Sequence, residues 1–355
     1  EFFRPLPSVA YAVSHTNLIF FRWYEEWIYV DVEIGPASGG TEVTVHGHGF
    51  DFTGDRGGLN YICRFTNPEN QTQVIDSAIA ETFDSQTLMC VTPAFGGVYS
   101  WLDYGAVLTL LHGPRGRVVP LYSPTVHFYF YPVWSTFTTD NRHGAKGTDI
   151  IVFTASGLRA FIPDLYRCSF TSSNDPDQMN STRATAISTT EVSCTTPEFG
   201  GEFRAANTSV VLYEDYVERE NRVVMEERTG NQLGYLDDAN GFVNNYEFYQ
   251  VVEQILHYPN GRNGGRASGN ETIGVIAYGL TVGSKQYQLR FTSTLDGSRQ
   301  DRSNFFEPIG PKFINITSPQ WGLNHAYGNS TVELLSDSTP TASVAYDVHR
   351  TDEIF

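Results

Sequence analysis

Tyr61-Ile-Cys63-Arg-Phe65, answered downstream by Cys90-Val-Thr-Pro93-Ala-Phe95-Gly96, is the stretch that decides the fold. Both phrases return as Tyr166-Arg-Cys168-Ser-Phe170 with Cys194-Thr-Thr-Pro197-Glu-Phe199-Gly200. They return again as Tyr287-Gln-Leu289-Arg-Phe291 with Ile316-Thr-Ser-Pro319-Gln-Trp321-Gly322. The paired positions stand 27, 26 and 27 residues apart, so three repeats share one spacing. Self-similarity at this scale is read before secondary structure, because a missed repeat corrupts every later assignment.

The third repeat is the informative one. Leu289 and Ile316 replace both cysteines together, as expected if the two positions face each other in a core and a lone thiol would be left unpaired. The pairing predicted is therefore Cys63 with Cys90 and Cys168 with Cys194, with Leu289 packed on Ile316 in their place, one of the three connectivities that four cysteines allow. Each bridge closes a loop of about 28 residues, worth roughly 3 to 4 kcal/mol in the chain-entropy account. Such bonds persist in oxidising compartments, which places the chain outside the cytosol, secreted or at the cell surface. The C-x₂₋₄-C spacing of a zinc site is absent.

Ahead of each tyrosine phrase lies a strand pattern. Gly39-Gly40-Thr41-Glu-Val43-Thr-Val45-His-Gly-His-Gly49-Phe50 is matched by Gly147-Thr148 running to Gly157-Leu158, and more loosely by Glu271 running to Gly279-Leu280. Val43 and Val45 alternate with polar neighbours, which gives one buried face. Hairpin turns are expected at His112–Arg117, Val217–Arg222 and Ser336–Pro340. No amphipathic helix is evident, and short strands between Gly, Pro and Asn point to sandwiches. The reading is all-β: three tandem immunoglobulin-like β-sandwiches over 29–131, 132–250 and 251–355, after an N-terminal extension, 1–28, that holds a free strand.

These residues resemble the IPT/TIG domains, immunoglobulin-like folds of plexin-type receptors, some transcription factors and many cell-surface proteins. The resemblance rests on the Gly39-Gly40-Thr41 turn, the strand Val43 to Phe50 and the two cysteine phrases. It is strong in the first repeat, good in the second and degenerate in the third. It implies an early-set sandwich with a binding or scaffolding role and brings no shared catalytic residues.

Composition agrees with β structure: aromatic residues make up 14% of the 355, charged residues only 18%. A formal charge of −17 with no basic stripe argues against nucleic acid and against an anionic membrane surface. No apolar run reaches the roughly eighteen residues of a membrane span. Leu18 to Val30 is interrupted by Arg22, Glu25 and Glu26 and lacks the marks of a signal peptide. Glu rather than Met as first residue fits a processed chain, and leaves open a membrane anchor beyond either end. Asn70, Asn180, Asn207, Asn270, Asn315 and Asn329 stand in N-x-Ser/Thr sequons and are expected to carry glycans in a eukaryotic source. Asn207 and Asn329 fall at the same point of their repeats. Asn315 precedes the inward Ile316, so alternation aims it outwards.

Chemistry-bearing constellations are weak. His46 and His48 share a strand face without an identifiable carboxylate partner, and Asp237-Asp238-Ala-Asn240-Gly241 lacks the first and closing ligands of a calcium loop. There is no nucleophile elbow, P-loop or dinucleotide fingerprint. The expectation is a non-enzymatic protein without cofactor or metal.

The first 28 residues remain. Ser8-Val-Ala-Tyr11-Ala-Val13 nearly repeats Ser343-Val-Ala-Tyr346-Asp-Val348, read as the closing strand of the third repeat, so the N-terminus reads as an orphan closing strand. Phe20, Phe21, Trp23 and Trp27 add aromatic surface. Val9, Tyr11, Val13 and these four aromatics are the candidate assembly contacts. Three readings stay open: the segment folds back on the first repeat, it docks on a neighbouring copy and so builds a homopolymer, or it is the tail of an earlier repeat.

Overall fold

The computed structural model describes residues 22–53, 60–100, 105–122, 124–137, 141–216, 219–225, 245–257, 265–338 and 353–354, and these form an almost entirely β structure. They group into two units. The first takes 1–34, 41–93 and 104–128, and the second 35–40, 94–103 and 129–355. Repeats two and three therefore share one unit, and that unit also takes in two turn segments from the first repeat.

In the first unit, Glu26–Val30, Glu42–His48, Thr87–Val91 and Glu81–Thr82 make one sheet in that order. In the other sheet Tyr61–Thr66 lies between Val74–Ile79 and Ala106–His112, and Ala106–His112 also pairs with Arg117–Val118. Alternation decides the burial: Val43 and Val45 point inwards, and so do Tyr61, Cys63 and Phe65. Trp27 is 1% exposed and pairs with Gly47, so the first sandwich begins at Glu26 and not at residue 29. The extension is thus shorter than the sequence implies, because the aromatic at position 27 is a core residue.

The second unit repeats the plan. Val133–Phe137, Ile150–Ser156 and Glu191–Thr195 form one face of the second sandwich, while Tyr166–Ser172 lies between Asp175–Ala186 and Asn207–Tyr216 in the other. The second hairpin is tighter than read: Asn207–Tyr216 pairs with Arg219–Arg222 starting from Tyr216 opposite Arg219. In the third sandwich Val251–His257, Thr272–Tyr278 and Phe313–Thr317 make one sheet, and Lys285–Ser293 pairs with Ser330–Ser338 and Gln300–Arg302 in the other. Glu353–Ile354 occupies the closing position beside Ser330 and Thr331. Ser343–Val348, read as the closing strand, lies outside the described residues, as do the third hairpin turn and the 237–241 loop.

The register makes the repeats equivalent position by position. Cys63, Cys168 and Leu289 stand opposite Leu110, Leu212 and Leu334, while Cys90, Cys194 and Ile316 stand opposite Val43, Ile151 and Ile273. Both disulfides form, with Cα atoms 6.1 and 6.4 Å apart, and Leu289 and Ile316 are fully buried in one core cluster of the third sandwich.

Candidate functional site

The Thr-Pro phrase after each second cysteine has a structural reason. Thr92 N–H donates to Thr41 O, and Thr41 N–H donates back to the Thr92 hydroxyl. Thr196 with Asp149 and Ser318 with Glu271 make the same exchange. A hydroxyl at this position ties the end of one strand to the start of another, so Thr or Ser is required and Val would not serve.

The repeated tyrosine is a second fixed point. Tyr61, Tyr166 and Tyr287 accept through their hydroxyls from the backbone N–H of Asp51, Arg159 and Thr281, at 2.7, 2.7 and 2.9 Å. Each of these donors lies two residues beyond a glycine with positive φ: Gly49, Gly157 or Gly279. Burial raises the pKa of all three phenols, and the Glu214 carboxylate pushes Tyr166 up further. Tyr61 also donates to Glu25, whose buried carboxylate meets His112 at 2.8 Å and the Arg117 guanidinium. Just ahead of the third repeat, Gln250 takes the Glu25 place and donates to the Tyr287 hydroxyl at 2.8 Å.

The second unit holds one further arrangement twice. After each Thr-Pro phrase the chain makes a single helical turn, Phe95–Gly97 or Phe199–Glu202, whose aromatic is buried. Phe95 stacks on Phe130 at 4.7 Å and Phe199 on Phe248 at 4.8 Å. Gly96 N–H then donates to Ala37 O, and Gly157 N–H donates to Gly96 O at 3.0 Å. In the same way Gly200 N–H donates to Ala145 O, and Gly279 N–H donates to Gly200 O at 2.9 Å. The glycines are required by close approach: a Cβ on Gly96 would stand 2.3 Å from Gly157 N, and one on Gly200 2.4 Å from Gly279 N. This is a joint between one repeat and the next, built from backbone and small residues.

The two joints differ at their rims. Around the Gly200–Gly279 joint, Lys146 reaches Glu253 at 2.6 Å, Tyr278 donates to Glu253 at 2.9 Å, and Lys312 reaches Glu198 at 2.6 Å while lying over the Tyr278 ring. The hydrogen bonds from Lys146 and then Tyr278 hold the Glu253 carboxyl below its usual range, and the bond to Glu198 raises Lys312. A cleft beside this joint is lined by Arg142, Asn207, Glu247, Gln250, Thr281 and Lys285 among others, with Arg142 and Glu247 paired at 3.2 Å.

Other candidate residues are placed as follows. Asn70, Asn207, Asn270, Asn315 and Asn329 are exposed, Asn315 between the buried Ile314 and Ile316, whereas Asn180 is half-buried in the long strand Asp175–Ala186. Trp23 is 81% exposed and Tyr24 68%, but Trp27 is closed into the first core and offers no outward contact. Val9, Tyr11, Val13, Phe20 and Phe21 lie outside the described residues. His46 stacks on Tyr29 at 4.5 Å, and among the described residues no group of His, Cys, Asp or Glu is arranged to hold a metal. Among those residues no helix is long and apolar enough to cross a membrane. Sequence reasoning alone does not reach the glycine joint, although its signal, an aromatic-Gly pair, stands after each Thr-Pro phrase.

Residues 31–103 match the family model of the IPT/TIG domain. No curated protein matches the sequence. Among solved structures, the plexin A4 full extracellular region is similar over 90% of this chain and 24% of its own length, at 12% identity and a TM-score of 0.24. The FN1–FN3 domains of chicken CNTN1 are similar over 93% of this chain and 97% of theirs, at 8% identity and a TM-score of 0.24. The chain therefore spans about a quarter of the plexin A4 region it matches. Outside residues 31–103, likeness to the IPT/TIG repeat rests on the shared register, disulfide position and tyrosine anchor.

Proposed function

We propose that this chain is an extracellular, non-catalytic structural glycoprotein, a protomer of a surface fibre that grows by head-to-tail contacts. Tandem immunoglobulin-like sandwiches with two disulfides support the extracellular part, since such bonds need an oxidising compartment. The observation that carries the fibre reading is the N-terminal surplus. A phrase resembling a closing strand, Ser8–Val13, is followed by Trp23 and Tyr24 in solvent ahead of a first sandwich that starts at Glu26. An unpaired β-strand edge tends to be completed by another chain, and a heterologous contact that does not close on itself propagates.

The test is electron microscopy of native material, together with sedimentation of the purified chain at increasing concentration. Filaments, and association lost on deleting residues 1–21, are the expected results. That deletion spares Glu25 and Trp27, which the first sandwich needs. Single particles of one chain length at every concentration would discard the fibre and leave a receptor or adhesin ectodomain that binds a protein or glycan through its repeats.

A further inference from the structure

We infer that the exposed turn of the third repeat, Ala267 with Gly322, receives the Gly49 turn of a second copy of this chain, reproducing between copies the glycine joint made twice within one. The inference rests on the fibre reading and adds a second contact between copies to the one assigned to the N-terminal segment.

Ala267 and Gly322 are the third-repeat counterparts of Ala37 with Gly96 and of Ala145 with Gly200. Gly322 N–H donates to Ala267 O at 2.7 Å, as Gly96 does to Ala37 and Gly200 to Ala145, each at 2.7 Å. A Cβ on Gly322 would stand 2.9 Å from the Ala267 Cβ, close to the 2.7 Å found at both Gly96 and Gly200. The same single turn follows, Trp321–Leu323. The accessibility differs. Ala37, Gly96, Ala145 and Gly200 are buried, whereas Ala267 and Gly322 are exposed, with Leu323 at 74% and Tyr327 at 94% beside them. Gly96 O and Gly200 O each accept from the next repeat's glycine, while Gly322 O has no donor among the described residues.

The complementary half is in the first repeat. Gly49 stands where Gly157 and Gly279 stand, ending the same strand at φ of 78°, against 83° in both counterparts. It lies 3.4 Å from the Glu25 Cα as built for a Cβ, and Gly157 lies 3.7 Å from the Cα of the matching Pro132. Gly157 and Gly279 are buried and donate, but Gly49 is exposed and its N–H has no acceptor among the described residues. One chain thus carries an open acceptor turn and an open donor turn, each already shaped like one side of a joint that forms elsewhere in the same chain. Because the two halves differ, the contact is heterologous and adds copies in one direction.

The experiment compares the full chain with Ala267→Arg and with Leu295→Arg, a control at an 87% exposed site of the same repeat. Sedimentation equilibrium reads association, thermal unfolding reads integrity, and hydrogen exchange reads the Gly49 amide. Expected are concentration-dependent association of the wild type with slowed exchange at Gly49, about tenfold or greater weakening in Ala267→Arg at an unchanged unfolding midpoint, and no change in Leu295→Arg. Wild-type association with Gly49 exchange unslowed, or Ala267→Arg associating like the wild type, overturns the contact while the fibre reading survives through another surface. A wild type that stays monomeric removes both. Exchange at Gly49 is measured on the unmodified chain and decides the matter even if Ala267→Arg fails to fold.

Discussion

Leu289 and Ile316 fill in the third sandwich the space that a disulfide fills in the other two, opposite the same strand neighbours. The apolar pair supplies packing but no constraint on the unfolded chain. Transplanting it as Cys63→Leu with Cys90→Ile should leave a folded first sandwich that has lost roughly 3 kcal/mol or less. Cys63→Ala with Cys90→Ala should lose more, because truncation adds a cavity. Chemical denaturation followed by fluorescence ranks the two, and equal midpoints would contradict the packing account. Tyr287→Phe removes the acceptor of Thr281 N–H and a partner of Gln250, and should cost about 1 to 3 kcal/mol by leaving a buried donor unmet. The five exposed sequon asparagines are expected to carry sugar in a eukaryotic source, a mass difference that peptide N-glycosidase should remove; Asn180, half-buried, should be the least occupied.

Strands in this chain are set by alternation, but their ends are set by single polar groups, and that is where element-scale effects should appear. Gly200→Ala would place a methyl 2.4 Å from Gly279 N and 2.7 Å from the Ala145 Cβ, in rigid backbone surroundings. The expected outcome is separation of one calorimetric transition into two, as the second and third sandwiches lose their backbone link; a single unshifted transition would count against the joint as a coupling element. The charged rim adds a pH dependence. The hydrogen bonds from Lys146 and Tyr278 depress the Glu253 pKa below its ordinary 4.5. A depressed carboxylate contributes stability that is present above the unfolded value and is lost as pH falls through the folded one. Wild type should therefore be more stable than Glu253→Gln at neutral pH, by a modest amount because the carboxylate is about a third exposed, and the difference should vanish once pH drops below the depressed pKa. Thermal midpoints of both proteins across pH 3 to 7 check the sign.

For the whole molecule, the sequence by itself determined the class of fold and the cysteine pairing, and its three-repeat reading is compatible with the structure. Each rests on information local to a phrase: period-two alternation around Cys63 and Phe65, a repeated spacing, and paired loss of Cys at Leu289 and Ile316. Fold assignment to the first repeat and its agreement with the IPT/TIG family follow from the same residues. The start of the first sandwich was misplaced by three residues, because the exposed Trp23 and the buried Trp27 read alike as aromatics and only the pairing of Trp27 with Gly47 separates them. The joint was legible as recurring glycines but not as a joint. Gly96 and Gly157, or Gly200 and Gly279, lie far apart along the chain, and what selects glycine there is the approach of one backbone to another at distances that no Cβ tolerates. That approach exists only after two sandwiches have formed, so the tertiary structure alone decided which glycines are turns and which receive a neighbour.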